Sequence, residues 1–323
     1  MPLRLRIDSW TPEYDSAIQI DEGEESTSPV DPFVETEDWQ PIAPDYLSRP
    51  ATIVFIDGVQ RVETRVIGDE DGRMVYGAFT SLAVGAALAR LQRPAVACDV
   101  PERVLALSDG GSSDPISVPC GNIDLAFHLQ STALSGLAGV HEAVNNARRM
   151  AETRLGERMI DAGNELVIVD GRLNFQPTRD SMAVGFVKTM HKSYLQGSQL
   201  ALLSQLGVRA RTPLFRIERD RPLYSWYLRL SERRPIEHPW AGLARIETLD
   251  SIGLAAAVRL ADLTTVHLPD FASTRERDGR APQNLFPISG LEEQLRHSLG
   301  DHEWIRRHIE AYFHREVALQ EAL

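Results

Sequence analysis

IVFIDG (residues 53–58) and LVIVDG (residues 166–171) are two copies of one pattern. In each, a run of β-branched and apolar residues is long enough for a buried strand and closes on an Asp–Gly pair. Laid side by side and parallel, two such strands bring Asp57 and Asp170 together at their polar ends. Two ionised carboxylates at close range repel, and each raises the other's pKa unless a cation lies between them. A hard divalent ion with oxygen ligands, Mg²⁺ or Mn²⁺, meets that need. Either Asp–Gly pair taken alone is also explained by a turn, because both residue types favour turn geometry.

The first copy reads as a strand over 51–57 (ATIVFID), and outward from it residues 60–67 (QRVETRVI) alternate as a second strand. Residues 68–73 (GDEDGR) read as a turn and 74–80 (MVYGAFT) as a third strand. Short connections make these an antiparallel meander. Residues 81–91 fit either strand or helix, 103–107 a short strand, and 110–123 a Gly/Ser/Pro loop. Ahead of the second copy, Leu137, Val140, Val144, Ala147, Ala151, Leu155 and Met159 recur at helical spacing. They predict a helix over 137–162 that stops at Gly163 and Asn164. Beyond the second copy come a strand at 184–188 and a hairpin from 212–217 and 223–230. Helices follow at 251–263, 291–299 and 302–321. The expected fold is α/β, a mixed sheet flanked by helices with extra N- and C-terminal elements. Residues 1–48 read as an acidic, partly ordered extension, and 49–323 as one folded unit.

Composition narrows the class. The chain has 323 residues, 43% hydrophobic and 25% charged, which fits a globular protein and excludes a disordered chain or a coiled-coil rod. Its net charge of −12, from 34 basic and 46 acidic residues, argues against a general polyanion binder. The charge is uneven, however. Residues 21–38 hold eight acids and no Lys or Arg, whereas 209–234 is rich in arginine. A local basic groove stays open. Apolar runs such as 82–91 fall well short of the roughly 20 residues that span a bilayer. The N-terminus alternates Arg with apolar residues, unlike a secretory signal. Cys98 and Cys120 are the only cysteines and make no disulfide framework. The expectation is a cytoplasmic protein without a membrane segment. No GxxxxGK[ST] loop, HExxH pair or GxSxG elbow is present, so this chain is not expected to hydrolyse ATP, use a zinc-protease site or carry a serine-hydrolase elbow.

A third acid falls between the two strands. Glu152, in RRMAETRLGE, sits one residue past Ala151, at the edge of the helix's apolar stripe. An antiparallel three-stranded start followed by strand Asp, helix Glu and strand Asp is the layout of the ribonuclease H-like nucleases. The chemistry that layout implies is two-metal phosphodiester hydrolysis.

Six stretches extend this. FIDGVQR (55–61), RRMAETRL (148–155), LVIVDGRL (166–173), VGFVKTMHKSYL (184–195), YSWYLRL (224–230) and APQNLFPISGLEEQLRH (281–297) together resemble the NurA nuclease family, from about residue 50 to near the C-terminus. The resemblance implies a ribonuclease H-like core and a Mn²⁺-dependent DNA nuclease. It also implies a homodimer working with a HerA-type hexameric ATPase in DNA end resection or repair. Matched position by position, Asp57, Glu152 and Asp170 become the metal ligands, and Lys188 the lysine that supports the phosphate. Lys192 is a further DNA-contact candidate. Many members carry a His after the C-terminal Pro motif. Here Pro287 is followed by Ile288, Ser289, Gly290, Leu291 and Glu292, so the fourth group stays open among Glu292, Glu293, His267 and His297. The alternative function is a non-catalytic DNA-clamp or scaffold subunit of the same ATPase complex.

The 212–230 region interleaves Arg211, Arg216, Arg219 and Arg229 with Phe215, Tyr224, Trp226 and Tyr227. Basic groups neutralise phosphates and aromatic faces stack bases, which suits a single-strand channel. Arg216 and Arg229 are the candidate DNA contacts, while Trp226 is expected in the core.

Overall fold

The computed structural model of the chain describes residues 4–7, 28–70, 72–90, 94–175, 182–188, 194–234, 239–274 and 284–321. Two short strands, β1 (Arg4–Ile7) and β2 (Val30–Asp31), precede a long hairpin of β3 (Thr52–Glu70) and β4 (Arg73–Arg90). Then come β5 (Ala95–Cys98), β6 (Glu102–Leu107), β7 (Ile116–Cys120), β8 (Ile123–Ser131) and the helix α1 (Gly136–Asp161). The strands β9 (Leu166–Asp170) and β10 (Ala183–Val187) follow, then the short helix α2 (Gly197–Leu202). The chain closes with β11 (Phe215–Ile217), β12 (Leu223–Arg229), β13 (Leu243–Leu249), α3 (Leu254–His267), α4 (Phe286–Ser298) and α5 (His302–Glu321).

The centre of the sheet runs β6-β4-β3-β9-β10. β3, β4 and β6 are antiparallel, β9 lies parallel to β3, and β10 lies parallel to β9. With α1 entering before β9, this is the ribonuclease H-like arrangement. β13, β12, β11 and β2 continue the sheet beyond β10, and β8 and β7 extend it beyond β6.

The central strands are apolar on both faces, as a sheet covered on both sides requires. Alternation sends Val54 and Ile56 of β3, with Val167 and Val169 of β9, towards Val140, Ala143, Val144, Ala151 and Leu155 of α1. Ile53, Phe55, Leu166 and Ile168 face the other way, onto Leu260 of α3 and Leu291 and Leu295 of α4. A third apolar group seats Ile305, Ile309 and Phe313 of α5 against Phe79, Leu105 and Phe127.

The structure departs from the sequence reading in instructive places. The strands expected at 51–57 and 60–67 are one strand of 19 residues. The Asp57–Gly58 pair does not turn the chain, because the ladder to β4 runs through it, pairing Asp57 with Gly85 and Gly58 with Val84. The turn falls beyond Glu70, where Gly72 has φ 80. Residues 81–90 stay in β4 as strand. The loop expected at 110–123 contains β7, whose Pro119 is tolerated because β7 ends the sheet. β13, buried along its whole length, shows no alternation and was not read as a strand.

The acidic extension is attached where it is described. β2 pairs with β11, and Ile42 and Arg211 exchange backbone hydrogen bonds of 2.9 Å. The Glu35 carboxylate accepts from the Arg211 guanidinium at 2.8 and 2.9 Å and from the Leu214 amide at 2.7 Å. Among the described residues, no helix is long and apolar enough to cross a membrane.

Candidate metal centre

β3 and β9 pair in register from Ile53 with Leu166 to Ile56 with Val169. One step further along both strands stand Asp57 and Asp170. β9 stops there: Gly171 takes φ 95 and its amide donates to the Phe186 carbonyl at 2.8 Å. β3 runs on. Asp57 therefore lies inside a strand, at the point where its parallel neighbour ends. Alternation groups Asp57 with Ile53 and Phe55, and Asp170 with Leu166 and Ile168, on the face covered by α3 and α4.

α4 reaches that face closely because of a glycine. A Cβ on Gly85, the antiparallel partner of Asp57, would lie 2.9 Å from Leu291 Cδ1 and 3.1 Å from Leu295 Cδ2. Without it those leucines settle onto β4. The residue after Leu291 is Glu292. One carboxylate oxygen from each of Asp57, Asp170 and Glu292 lies within 4.8 Å of the others.

Asp57 is only 4% exposed. Its Oδ1 accepts the Gly58 amide at 2.8 Å, while Oδ2 is buried without a hydrogen-bond partner among the described residues. Burial, and then the nearby Asp170 charge, push the Asp57 carboxyl well above the usual range, with Lys188 pulling the other way. Asp170 is likewise raised by burial and opposed by Lys188. The Lys188 ammonium donates to Asp170 Oδ2 at 2.6 Å. A buried oxygen without a partner is costly, and one lysine does not balance three ionised carboxylates. The residues fit a divalent ion. The donor set is all oxygen, which suits Mg²⁺ or Mn²⁺ rather than zinc.

Glu152 is near this cluster but outside the group that meets. It lies on α1, which covers the opposite face. It is 3% exposed and accepts from Arg148 Nη1 at 2.7 Å. Burial raises its carboxyl and Arg148 opposes the rise. A Cβ on Gly58 would sit 2.6 Å from Glu152 Oε1, so this glycine serves close approach rather than a turn. The third carboxylate that converges is Glu292, one of the residues left open after Pro287. The sequence signal for it was the bracketing pair Leu291 and Leu295. Spaced one turn apart and buried, they orient the helix.

The other candidates fall elsewhere. Glu293 and His297 are exposed on α4. His267 is buried with its Nε2 2.9 Å from the Leu47 carbonyl. Lys192 lies outside the described residues. Arg216 is held by Asp250 at 2.9 and 3.0 Å and by Glu218. Arg229 corrects the expectation of a DNA contact. It is buried, and its guanidinium donates to the backbone carbonyls of Leu203, Leu206, Ala241 and Pro239. Trp226 is fully buried. β12 is not a half-exposed hairpin strand but an interior one between β11 and β13, so its one arginine, Arg229, ties strand to loop carbonyls inside the core instead of lining a channel.

No family model matches this sequence, and no curated protein matches it. Among solved structures the chain is similar to the NurA nuclease from Sulfolobus solfataricus. The TM-score is 0.48 and the identity 10%, over 86% of this chain and 88% of that one.

Proposed function

We propose that this protein is a metal-dependent DNA nuclease of the NurA type. The observation that carries the reading is Asp57 Oδ2. It is buried and, among the described residues, without a partner, inside a nest of three carboxylates drawn from β3, β9 and α4. A carboxylate oxygen left in that state destabilises the fold unless a ligand takes it up. Bound there, a divalent cation would supply Lewis acidity to a scissile phosphodiester. The chain's own residues do the rest. Asp57, Asp170 and Glu292 hold and orient. Lys188, 2.6 Å from Asp170 Oδ2, stands where it would offset the charge of a bound phosphate. DNA as the substrate, Mn²⁺ as the preferred ion, the two-ion form of the chemistry, a homodimer, a HerA-type ATPase partner, a role in end resection and a cytoplasmic location are supported by the sequence resemblance alone.

The test is cleavage of linear single- and double-stranded DNA by the purified protein with Mn²⁺ or Mg²⁺. Hydrolysis should require the ion, stop with EDTA and vanish in Asp57→Asn. Cleavage that survives either treatment would overturn the reading. Protein that binds DNA, takes up no Mn²⁺ and leaves the strand intact would be the non-catalytic clamp instead.

A further inference from the structure

We propose that Glu247 is a positioning residue for the cation site. From β13 it fixes the chain that leaves β9, and so sets where Asp170 presents its carboxylate. This role rests on the metal-dependent reading above and deepens it, since it concerns how one ligand is held.

Three observations carry it. First, Glu247 holds the backbone just beyond Asp170. Asp170 is the last residue of β9, and Gly171 takes the chain out of the strand with φ 95. Glu247 Oε1 then accepts from the Leu173 amide at 3.3 Å. Only Gly171 and Arg172 separate the ligand from that bond. Where a strand ends, the ladder no longer fixes the backbone, and a bond to the next segment takes over that task.

Second, the close approach is built in. Gly185 of β10 is the cross-strand partner of Glu247. A Cβ on Gly185 would lie 2.7 Å from the Leu173 nitrogen, 2.8 Å from the Gly171 carbonyl oxygen and 3.1 Å from Glu247 Cγ. Bare backbone at Gly185 therefore lets the segment lie against β10 within reach of Glu247. Leu173 and Phe175 are buried in the apolar group under α1. That packing sets their depth, whereas a directional bond to the amide sets the path of the backbone.

Third, Glu247 is itself held and does not point at the cluster. Its neighbour Ile246 packs on the α3 and α4 face, so alternation turns Glu247 to the α1 side. It is 1% exposed, and its Oε2 accepts from Arg245 Nη1 at 2.6 Å. Arg245 in turn lies over the Tyr194 ring at 5.0 Å. A buried ion pair adds little net stability over apolar residues of similar volume. What this one supplies is a carboxylate with one oxygen anchored and the other on Leu173. Groups behind a metal ligand act in this way, by orienting it.

The experiment combines Mn²⁺ titration calorimetry with amide hydrogen exchange of the metal-free protein. The ion pair is replaced in two ways. Arg245→Met/Glu247→Gln keeps an acceptor for the Leu173 amide and leaves no unpaired charge. Arg245→Met/Glu247→Leu removes the acceptor as well. The variant without the acceptor should bind Mn²⁺ about tenfold more weakly and exchange the Leu173 amide roughly fivefold or more faster, as loss of one hydrogen bond implies. The variant with the acceptor should stay close to the wild type in both. Gly185→Ala leaves the ion pair in place but pushes on the segment, so it should weaken Mn²⁺ too; it remains informative if neither double variant folds. Mn²⁺ affinity that falls equally in the two double variants, or in neither, would overturn the proposed role, as would unchanged affinity in Gly185→Ala. Wild-type protein that takes up no Mn²⁺ while protecting the Leu173 amide would bring down the metal-centre reading itself, which separates the two failures.

Discussion

β3 buries two acids six residues apart, and they differ in everything but burial. Glu63 has no exposure and sits in a β-bulge, where the ladder slips between Val62 and Thr64. It accepts from Arg61 Nη2 at 2.8 Å and from the Ser81 hydroxyl, and its Oε2 lies 2.6 Å from His302 Nδ1. Arg103 stands 3.9 Å away. Arg61 and Arg103 in turn donate to the carbonyls of Gly300 and Leu299, each at 3.0 Å. Glu63 thereby fastens the α4–α5 junction to the sheet. Asp57 has an oxygen without a partner among the described residues, and acids as its neighbours. A buried carboxylate with its bonds made is part of the scaffold, whereas one left unmade among like charges is a place for a ligand.

That contrast can be broken most forcefully at Glu63. Glu63→Ala leaves Arg61 and Arg103 without their buried counter-charge and should cost about 3–5 kcal/mol, read by urea unfolding. Asp57→Asn should do the opposite to the metal-free protein, raising its stability on the order of 1 kcal/mol by removing a buried, repelled charge, while hydrolysis disappears. An Asp57→Asn variant less stable than the metal-free wild type would erase the distinction.

Added Mn²⁺ sharpens the same point. At about 100 times its dissociation constant it should stabilise the wild type by about 2.7 kcal/mol. A Glu63→Gln variant should keep that gain and Asp57→Asn should lose it, as thermal unfolding with and without EDTA will show. A smaller effect is expected at Gly85. A methyl there meets Leu291, Leu295 and the Ala97 carbonyl at 2.9 to 3.1 Å, so Gly85→Ala should cost roughly 1–3 kcal/mol and weaken Mn²⁺ by lifting Glu292 away.

The smallest effect concerns pH. Burial lowers the His267 pKa below its ordinary 6.5, so the folded state binds that proton less readily than the unfolded chain. The stability tied to neutral His267 is complete above 6.5 and is lost as pH falls from there towards its folded value, at no more than about 1.4 kcal/mol per pH unit. His267→Gln should flatten that part of the curve. A steeper curve in the variant would reverse the sign assigned here.

The central architecture was legible because it is local. The runs at 53–56 and 166–169 are apolar and β-branched, and α1 carries its stripe at helical spacing, so the strand–helix–strand unit and the pairing of Asp57 with Asp170 follow from short-range pattern. The continuous β3 was not legible, because an Asp–Gly pair looks like a turn unless a neighbouring ladder overrides it. Arg229 was misjudged for a related reason. An arginine beside aromatics looks alike in a groove and in a core, and only the strands on either side of β12 distinguish them.

What the chain decided by itself is therefore the periodicity of its strands and of α1, and the presence of acids at the ends of two buried runs. Which carboxylate comes within 4.8 Å of Asp57 and Asp170, and which pairs with Arg148, was decided by how α4 and α1 pack on opposite faces of the sheet. The physical reason is that a side chain's charge is local to the sequence, but its neighbours are set by burial of apolar residues elsewhere. Leu291 and Leu295 settling over Gly85 bring Glu292 to the cluster, and no pattern within one segment of chain contains that contact.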